Sequence, residues 1–252
     1  PIEEHRSPMV RPLGQFDTIV GAHLYAKNNL RFQQAAERMA SGRRINRGSD
    51  DPSGLIASEH LRSMLAAIDA ESRALERTVH VTSTADGVLE GVSSMLVAAR
   101  GIAIAREGAL TEEERAAYDM EYNSIRNSID RLLSGASFNG EPLFSGEGLT
   151  LEAAGQSLTV DPMSAESLEL GAVIDDEAIS KALSNVNGVR AEIGSFARHT
   201  VGGRLESLRV EFENLAAANS RIADTDYAAE TSEMIRARLL SIMSLSAMML
   251  DG

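Results

Sequence analysis

The 252-residue chain contains no cysteine and no tryptophan, and its aromatic residues are only six Phe and four Tyr. The lack of cysteine excludes disulfides and thiolate metal sites. A core with so few aromatic rings takes its buried area from aliphatic side chains, which suits helices packed along their length. The composition therefore favours a fold built from long helices.

Several functional classes are also poorly supported. No two of the five histidines are four residues apart, and a His-Glu-x-x-His motif is absent, so we expect no metal site and no cofactor. The acidic clusters have no nearby nucleophile or ligand set, so we expect no enzymatic activity. The net charge of −13 argues against a nucleic-acid partner, since phosphate contacts need a basic face.

The charge is distributed unevenly. Residues 1–50 carry eight Lys/Arg and five Asp/Glu, whereas residues 135–176 carry eight Asp/Glu and no Lys/Arg, which indicates a solvated acidic segment between two structural arms. No run of eighteen apolar residues occurs, so we expect no membrane insertion. The first residues lack a basic region followed by an apolar stretch, which predicts export without a cleavable signal peptide.

Apolar spacing predicts two helices in the first part of the chain. The first covers about residues 14–39 and stops at Ser41-Gly42, because glycine accepts a left-handed cap. After a polar connector, Asp51 is expected to cap a second helix whose first turn contains Pro52. That helix is predicted to run to about Glu107, or roughly 80 Å at ~1.5 Å per residue.

A third helix is predicted over residues 111–134. It begins with a capping box, in which the Thr111 hydroxyl and the Glu114 carboxylate each satisfy a free backbone N–H. Its apolar residues recur at steps of four and three: Tyr118, Tyr122, Ile125, Ile129 and Leu132.

The segment 136–174 differs in character and contains turn signals between short apolar stretches. Asn139-Gly140 is typical of a hairpin turn, so we expect one or two β-hairpins here. Short strands are predicted at 149–151 and 158–160, with residues 168–174 extended too.

Helices are predicted again in the last part of the chain. One begins with Asp175 or Asp176 as its cap and runs to about Asn219, and the final helix covers residues 227–250. The Gly202-Gly203 pair inside the first of these predicts close packing of a neighbouring helix, or a local break. The fold class is therefore mainly α, an elongated antiparallel helical bundle or coiled coil formed by the two terminal arms around a small β-hairpin segment.

Three stretches resemble the signature motifs of bacterial flagellins. The N-terminal one is Ser41-Gly42-Arg43-Arg44-Ile45-Asn46, followed by Asp50-Asp51-Pro52-Ser53-Gly54. The C-terminal one is Ser220-Arg221-Ile222-Ala223-Asp224-Thr225-Asp226-Tyr227-Ala228-Ala229-Glu230. Between them, Phe138-Asn139-Gly140 is similar to the family's turn after the third helix.

The resemblance implies a minimal flagellin with inner and rod domains only. Residues 1–42 and 227–252 would form an inner coiled-coil domain, 43–51 and 220–226 the connectors, and 52–219 the rod domain with helices at about 52–107, 111–134 and 176–219. The implied function is that of a structural subunit that assembles with itself into an extracellular helical filament for motility. The implied partners are the flagellar export apparatus, an export chaperone, and the filament cap and junction proteins.

By the same resemblance, a set of residues is expected to form the connectors or contact a neighbouring subunit. These candidates are Arg44, Ile45, Asn46, Asp50, Asp51, Phe138, Asn139, Gly140, Ser220, Arg221, Ile222, Asp224, Asp226 and Tyr227. A hook–filament junction protein has similar arms and remains an alternative, as does a non-flagellar coiled-coil adaptor.

Overall fold

The computed structural model describes residues 13–250, and the side chains of residues 19–249. The rest of the predicted inner domain, residues 1–12 and 251–252, lies outside this range. The described helices are α1 (Leu13–Ser41), α2 (Pro52–Glu107), α3 (Glu112–Gly135), α4 (Asp176–Ser195), a π-helical turn (Phe196–Val201), α5 (Gly202–Ala223) and α6 (Tyr227–Leu250). The strands are β1 (Ser137–Phe138), β2 (Glu141–Pro142), β3 (Leu149–Ala153) and β4 (Gln156–Val160). This confirms the mainly α fold with a small β segment.

The predicted helix starts are confirmed by hydrogen bonds of the capping side chains. Asp51 Oδ1 accepts the Gly54 N–H at 2.9 Å, and Asp175 Oδ1 accepts the Glu177 N–H at 3.0 Å. At α3 the capping box is complete, with Thr111 Oγ1 accepting from Glu114 N at 3.2 Å and the Glu114 carboxylate accepting in return. Each cap satisfies a donor that the helix itself leaves free.

The chain forms two compact units. The first consists of the described parts of Pro1–Ala66 and Glu213–Gly252, and the second of Ala67–Phe212. The divisions fall inside α2 and α5, so the bounds of the inner and rod domains stay a prediction.

In the first unit, α1 and α6 pack as an antiparallel pair. Contacts join the end of α1 to the start of α6 and the start of α1 to the end of α6. Arg38 forms an ion pair with Glu230 at 3.1 Å, and the Met248 side chain packs against Gly21. A Cβ on Gly21 would lie 2.6 Å from Met248 Cγ, so the glycine permits the close approach of the two helices.

The second unit has a continuous aliphatic core. Its fully buried side chains include Leu89, Leu96, Tyr122, Ile129, Leu133, Leu143, Phe144, Ile179 and Leu208, which come from α2, α3, the loop after β2, α4 and α5. On α3 the buried row of apolar residues departs from the predicted one. The predicted steps of four and three residues lead to Leu132, whereas Leu133 is the buried residue. A helix of 3.6 residues per turn departs from a seven-residue repeat by about 20° per heptad, which explains the shift.

Two hairpins occupy the β segment, as predicted. The β1–β2 turn places Asn139 at φ 54° and Gly140 at φ 88°, the left-handed pair that suits a two-residue hairpin. Strand β3 buries Leu149, Leu151 and Ala153 on one face and pairs antiparallel with β4.

The extended structure predicted for residues 168–174 is wrong. The chain makes local turns there, with Leu170 N donating to Ala165 O at 2.9 Å, and Glu169 adopts a left-handed φ of 59°. Leu168 and Leu170 are still buried. Their apolar character therefore reflects core packing and not strand pairing.

The helix predicted from Asp176 to Asn219 contains an irregularity and ends later. A π-helical turn separates α4 from α5, and α5 continues to Ala223. Within residues 13–250, no neighbouring helix explains the paired glycines, because a Cβ on Gly203 would meet nothing within 4 Å and one on Gly202 only the Ala197 carbonyl. Of the two alternatives predicted for these glycines, the structure therefore shows the local break in the helix.

By length and composition alone, α2 is the one helix among residues 13–250 that could cross a membrane. This indication is weak, since core helices of water-soluble proteins meet the same criteria. In the second unit, α2 forms ion pairs with other helices through Asp86–Arg190 and Arg106–Asp119.

Candidate connectors and subunit interface

The two predicted connectors lie side by side in the first unit and are joined through their backbones. Arg43 and Asp224 form an isolated antiparallel bridge. Next to it, Arg44 N donates to Ala223 O at 2.7 Å, and Thr225 N donates to Gly42 O at 3.0 Å. These backbone contacts hold the end of α1 next to the start of α6.

Arg44 reinforces this junction with its side chain. Its guanidinium donates two hydrogen bonds to the Ile222 carbonyl, at 3.1 Å from Nε and 2.7 Å from Nη2. The same Nη2 lies 3.6 Å from Asp51 Oδ2. A cation at the end of α5 is favourable because the last carbonyls of a helix carry partial negative charge. Arg44 therefore links the end of α5 to the cap of α2.

The loop between Arg44 and α2 is shaped by two carboxylates. Asp50 Oδ2 accepts the backbone N–H groups of Arg47, at 2.9 Å, and Asn46, at 3.0 Å. These bonds stabilise the charged form and hold the pKa of Asp50 below its usual range. The bonds that Asp51 accepts from Gly54 N and the Ser53 hydroxyl lower the pKa of Asp51 in the same way.

Beneath the loop lies a small buried contact. Ile45 is buried, and it packs so near to α2 that a Cβ on Gly54 would lie 2.7 Å from Ile45 Cδ1. One turn further along α2, the buried Ser58 hydroxyl donates to Asn219 Oδ1 at 2.8 Å. Asn219 therefore ties α5 to α2.

The returning connector ends in another helix cap. Asp226 Oδ1 accepts the backbone N–H groups of Ala228, at 2.9 Å, and Ala229, at 3.1 Å, and so caps α6. The Tyr227 side chain is exposed, and its hydroxyl lies beside Gly42. The remaining candidates differ in exposure, with Ile222 half-buried and Ser220, Arg221 and Asp224 exposed.

The turn candidates Phe138, Asn139 and Gly140 belong to the second unit. Phe138 is half-buried in β1, whereas Asn139 and Gly140 are exposed at the tip of the β1–β2 hairpin. The structure gives them the geometry of a tight hairpin. Whether they contact a neighbouring subunit stays a prediction.

A large apolar surface is left uncovered on the α1–α6 pair. Ala237 is buried, while other positions of α6 expose apolar residues at helical steps. Leu239 is 56% exposed and Met243 is 65% exposed. Within residues 19–249, the exposed large apolar residues on the two helices are Ile19, Val20, Leu24, Leu30, Tyr227, Ile235, Leu239, Leu240, Ile242, Met243, Leu245 and Met249.

Such a surface is uncommon on a protein that stays monomeric. Exposed apolar side chains scattered singly are ordinary, but a contiguous row along a helix marks a surface that another molecule covers. On α6, steps of three and four residues connect Ile235, Leu239, Ile242, Leu245 and Met249, and Met243 lies four residues after Leu239, so these side chains form a row.

Sequence analysis missed several of these contacts. It did not pair Arg38 with Glu230 or Ser58 with Asn219, because their separations of 192 and 161 residues leave no local pattern. It also did not assign a packing role to Gly54. The available signal was the presence of glycine in the first turn of a predicted helix, where most other residues would stabilise the helix more.

No metal-ligand set supports a catalytic interpretation within the described part of the chain. No group of three or more His, Asp or Glu side chains converges there in a way that could hold a metal ion. The polar groups of the connectors bond to one another and to backbone atoms, which is the chemistry of a structural joint.

Comparison with known proteins accounts for this arrangement. The N-terminal helical region of bacterial flagellin matches residues 21–148, and the C-terminal helical region of bacterial flagellin matches residues 177–249. The chain belongs to the bacterial flagellin family. The two matched regions include both predicted connectors, residues 43–51 and 220–226.

Individual flagellins are similar over most of their length. The chain is 26% identical to a flagellar filament 30.7 kDa core protein of Treponema maltophilum, covering 87% of this chain and 88% of that protein. It is 28% identical to a flagellin of Halalkalibacterium halodurans, covering 83% and 84%. Among solved structures, a Bacillus cereus flagellin matches 52% of this chain and 88% of its own, with 20% identity and a TM-score of 0.44.

Proposed function

We propose that this chain is a structural subunit that polymerises with copies of itself into a bacterial flagellar filament. The observation that carries the proposal is the exposed apolar row on α6, together with the exposed apolar residues of α1. Membership of the flagellin family and the similarity to a named filament core protein support it. As a filament component the protein would be extracellular and would have no catalytic role.

Assembly would cover the surface that the monomer leaves in water. Fully burying a leucine-sized side chain contributes about 1.5–3 kcal/mol, so a half-exposed one such as Leu239 has about 1 kcal/mol still to gain. Among the side chains that the structure describes, twelve large apolar ones on α1 and α6 are partly or mostly exposed. A contact that repeats without closing on itself turns this gain into an open helical polymer.

In this proposal the parts of the chain have separate tasks. Residues 1–42 and 227–252 form the inner coiled-coil domain, 43–51 and 220–226 the connectors, and 52–219 the rod domain. The candidate residues from Arg44 to Asp51 and from Ser220 to Tyr227 set the geometry of the joint, and their exposed side chains face neighbouring subunits. The 138–140 turn supplies a further contact between rods.

The proposed partners beyond the chain itself follow from the family. They are the flagellar export apparatus, an export chaperone, the filament cap and the junction proteins. The alternative of a hook–filament junction protein makes a different physical prediction. Such a protein stops at a short assembly, whereas a filament subunit alone grows into long tubes.

The test is polymerisation of the purified protein, followed by sedimentation and negative-stain electron microscopy. Sulfate salts are suitable because they strengthen apolar burial and screen the net charge of −13. We expect long tubes of uniform width. A persistent monomer or a short ring under all conditions would contradict the proposal and favour the junction protein.

A matched pair of variants tests whether the α6 row drives assembly. Leu239→Gln loses about 1 kcal/mol of apolar burial and places an amide in an apolar contact at a cost of at least ~1 kcal/mol, which together raise the critical concentration roughly thirtyfold. Arg236→Gln introduces the same side chain at an exposed position on the same helix, where it removes only a surface ion pair with Glu233. An equal effect of both variants would show that the row is not the driving surface.

A further inference from the structure

The C-terminal helix concentrates thioether side chains. Four of the ten methionines of the chain lie on α6, namely Met234, Met243, Met248 and Met249. Met243 is 65% exposed and Met249 is 74% exposed, whereas Met248 is half-buried and packs against Gly21. Two sulfur-containing side chains of this helix are therefore presented to water.

Both exposed methionines belong to the apolar row of α6. Met243 continues the exposed residues Ile235 and Leu239 at four-residue steps, and Met249 follows Leu245 at the same spacing. Residues four apart on a helix lie next to each other on its surface. A chemical change at either sulfur would therefore alter the surface that the proposed assembly covers.

We propose that Met243 and Met249 are oxidation sites through which peroxide-class oxidants block self-assembly of the free subunit. This inference rests on the proposed function. In the reaction, a sulfur lone pair attacks one oxygen of hydrogen peroxide, so that an S–O bond forms and the O–O bond breaks. Sulfur is oxidised by two electrons, the leaving hydroxide takes the proton of the transferred hydroxyl, and the products are methionine sulfoxide and water.

Oxidation opposes assembly because it changes the polarity of the row. A thioether is an adaptable apolar group, whereas a sulfoxide is polar and chiral. In the free subunit the new oxygen is hydrated at no cost. In an assembled contact it loses that water, and the neighbouring Ile235, Leu239 and Leu245 side chains offer no hydrogen-bond donor.

The same geometry predicts protection once the polymer has formed. A covered sulfur is inaccessible to peroxide, so oxidation would act on subunits before assembly and not on those already in the filament. Because methionine sulfoxide is reduced by two reductases, one for each sulfur epimer, the block is reversible.

Other methionines provide internal references. Met163 is buried in the second unit, at 8% exposure, and should react slowly. Met120 lies on α3 of the second unit and is as exposed as the α6 pair. It therefore reports on exposure to the oxidant without belonging to the α6 row.

The experiment oxidises the free subunit with limiting hydrogen peroxide, maps sulfoxides by peptide mass spectrometry and measures the critical concentration by sedimentation. We expect Met243 and Met249 to react faster than Met163 by about tenfold or more, because oxidation follows exposure. The critical concentration is expected to rise by about tenfold or more, because each buried sulfoxide loses its hydration. Helix content by circular dichroism should stay unchanged, and the two reductases should restore assembly.

Two variants make the assignment specific. The double variant Met243→Leu with Met249→Leu conserves volume and should assemble equally well before and after peroxide. Met120→Leu should remain as sensitive as the unaltered protein. Sensitivity that persists in the double variant, or that disappears in Met120→Leu, would overturn the assignment.

The remaining outcomes separate this inference from the proposed function. Tubes that form at an unchanged critical concentration from subunits oxidised at both positions would overturn the inference and leave the function standing. Loss of helix content on oxidation would also overturn it, since unfolding would then explain the loss of assembly. Failure of the untreated protein to polymerise would overturn both.

Discussion

Replacement of Gly54 by alanine is expected to destabilise the connector, although the same change usually strengthens a helix. Gly54 lies in the first turn of α2, and its N–H donates to Asp51 Oδ1 at 2.9 Å. A Cβ at this position would lie against Asp51 Oδ2 and 2.7 Å from Ile45 Cδ1. Both the capping carboxylate and the buried isoleucine side chain would have to shift.

The opposing contributions can be compared in size. Loss of a helix cap costs about 1 kcal/mol, and extra atoms in a packed contact cost about 1–3 kcal/mol. Against these stands a gain of about 1 kcal/mol from replacing glycine in a helix. Gly54→Ala should therefore lower the free energy of unfolding by about 1–3 kcal/mol. Moving Asp51 would also weaken its ion pair with Arg44, which lies across the joint.

A matched control exists in the same helix. A Cβ on Gly87 meets nothing within 4 Å, so Gly87→Ala should raise the free energy of unfolding by about 1 kcal/mol. Urea unfolding of the monomer, followed by circular dichroism at 222 nm, measures both variants. If Gly54→Ala proved as stabilising as Gly87→Ala, the packing argument for the Ile45 contact would be refuted.

Three further outcomes are expected. In the folded protein the pKa of Asp50 lies below the ordinary value near 3.9, so the stability that its carboxylate contributes is present above that value and is lost as pH falls through the folded pKa. In urea unfolding, the free energy of unfolding should therefore fall less between pH 5 and pH 3 for Asp50→Asn than for the unaltered protein. Phe144→Ala, at a fully buried site, should cost about 3–5 kcal/mol, and clearly more than Phe212→Ala at a 43% exposed site. Ser58→Ala should cost about 1 kcal/mol in thermal unfolding, because Asn219 loses its donor.

Sequence patterns predicted the helix starts well because caps are local. Asp51, Thr111 and Asp175 each lie within three residues of the N–H that they accept, so the determining residues are adjacent in the chain. The Asn139-Gly140 turn was predictable for the same reason, since few residues adopt two consecutive positive φ angles. Caps and tight turns therefore do not depend on tertiary contacts with the rest of the chain.

The sequence-based predictions were wrong where tertiary packing decides the local structure. Leu168 and Leu170 have the apolar character of a strand, but their segment closes into local turns and only their side chains join the core. Likewise, the paired glycines after Val201 mark no close helix contact and follow a π-helical turn. Composition alone does not distinguish these possibilities, because apolar burial is non-directional.

The contacts that the candidate connector residues make could not be predicted from the sequence. Motif resemblance suggested both connectors, but it did not indicate that Arg44 would donate to the Ile222 carbonyl and lie near Asp51 as well. Those partners come from opposite ends of the chain. The exposed row on α6 was likewise beyond sequence analysis, since an apolar periodicity looks the same whether its face is covered by α1 or left in water.

Polar and apolar contacts have different roles in this chain. In the connectors, Arg44, Asp50, Asp51 and Asp226 use directional hydrogen bonds, and their partners lie within the chain. These bonds give the free subunit a preset joint before it meets another copy. Apolar burial supplies most of the association free energy but little orientation, so regular geometry in a polymer must come from parts that are already shaped. A chain with ordered connectors and uncovered helix faces meets both requirements.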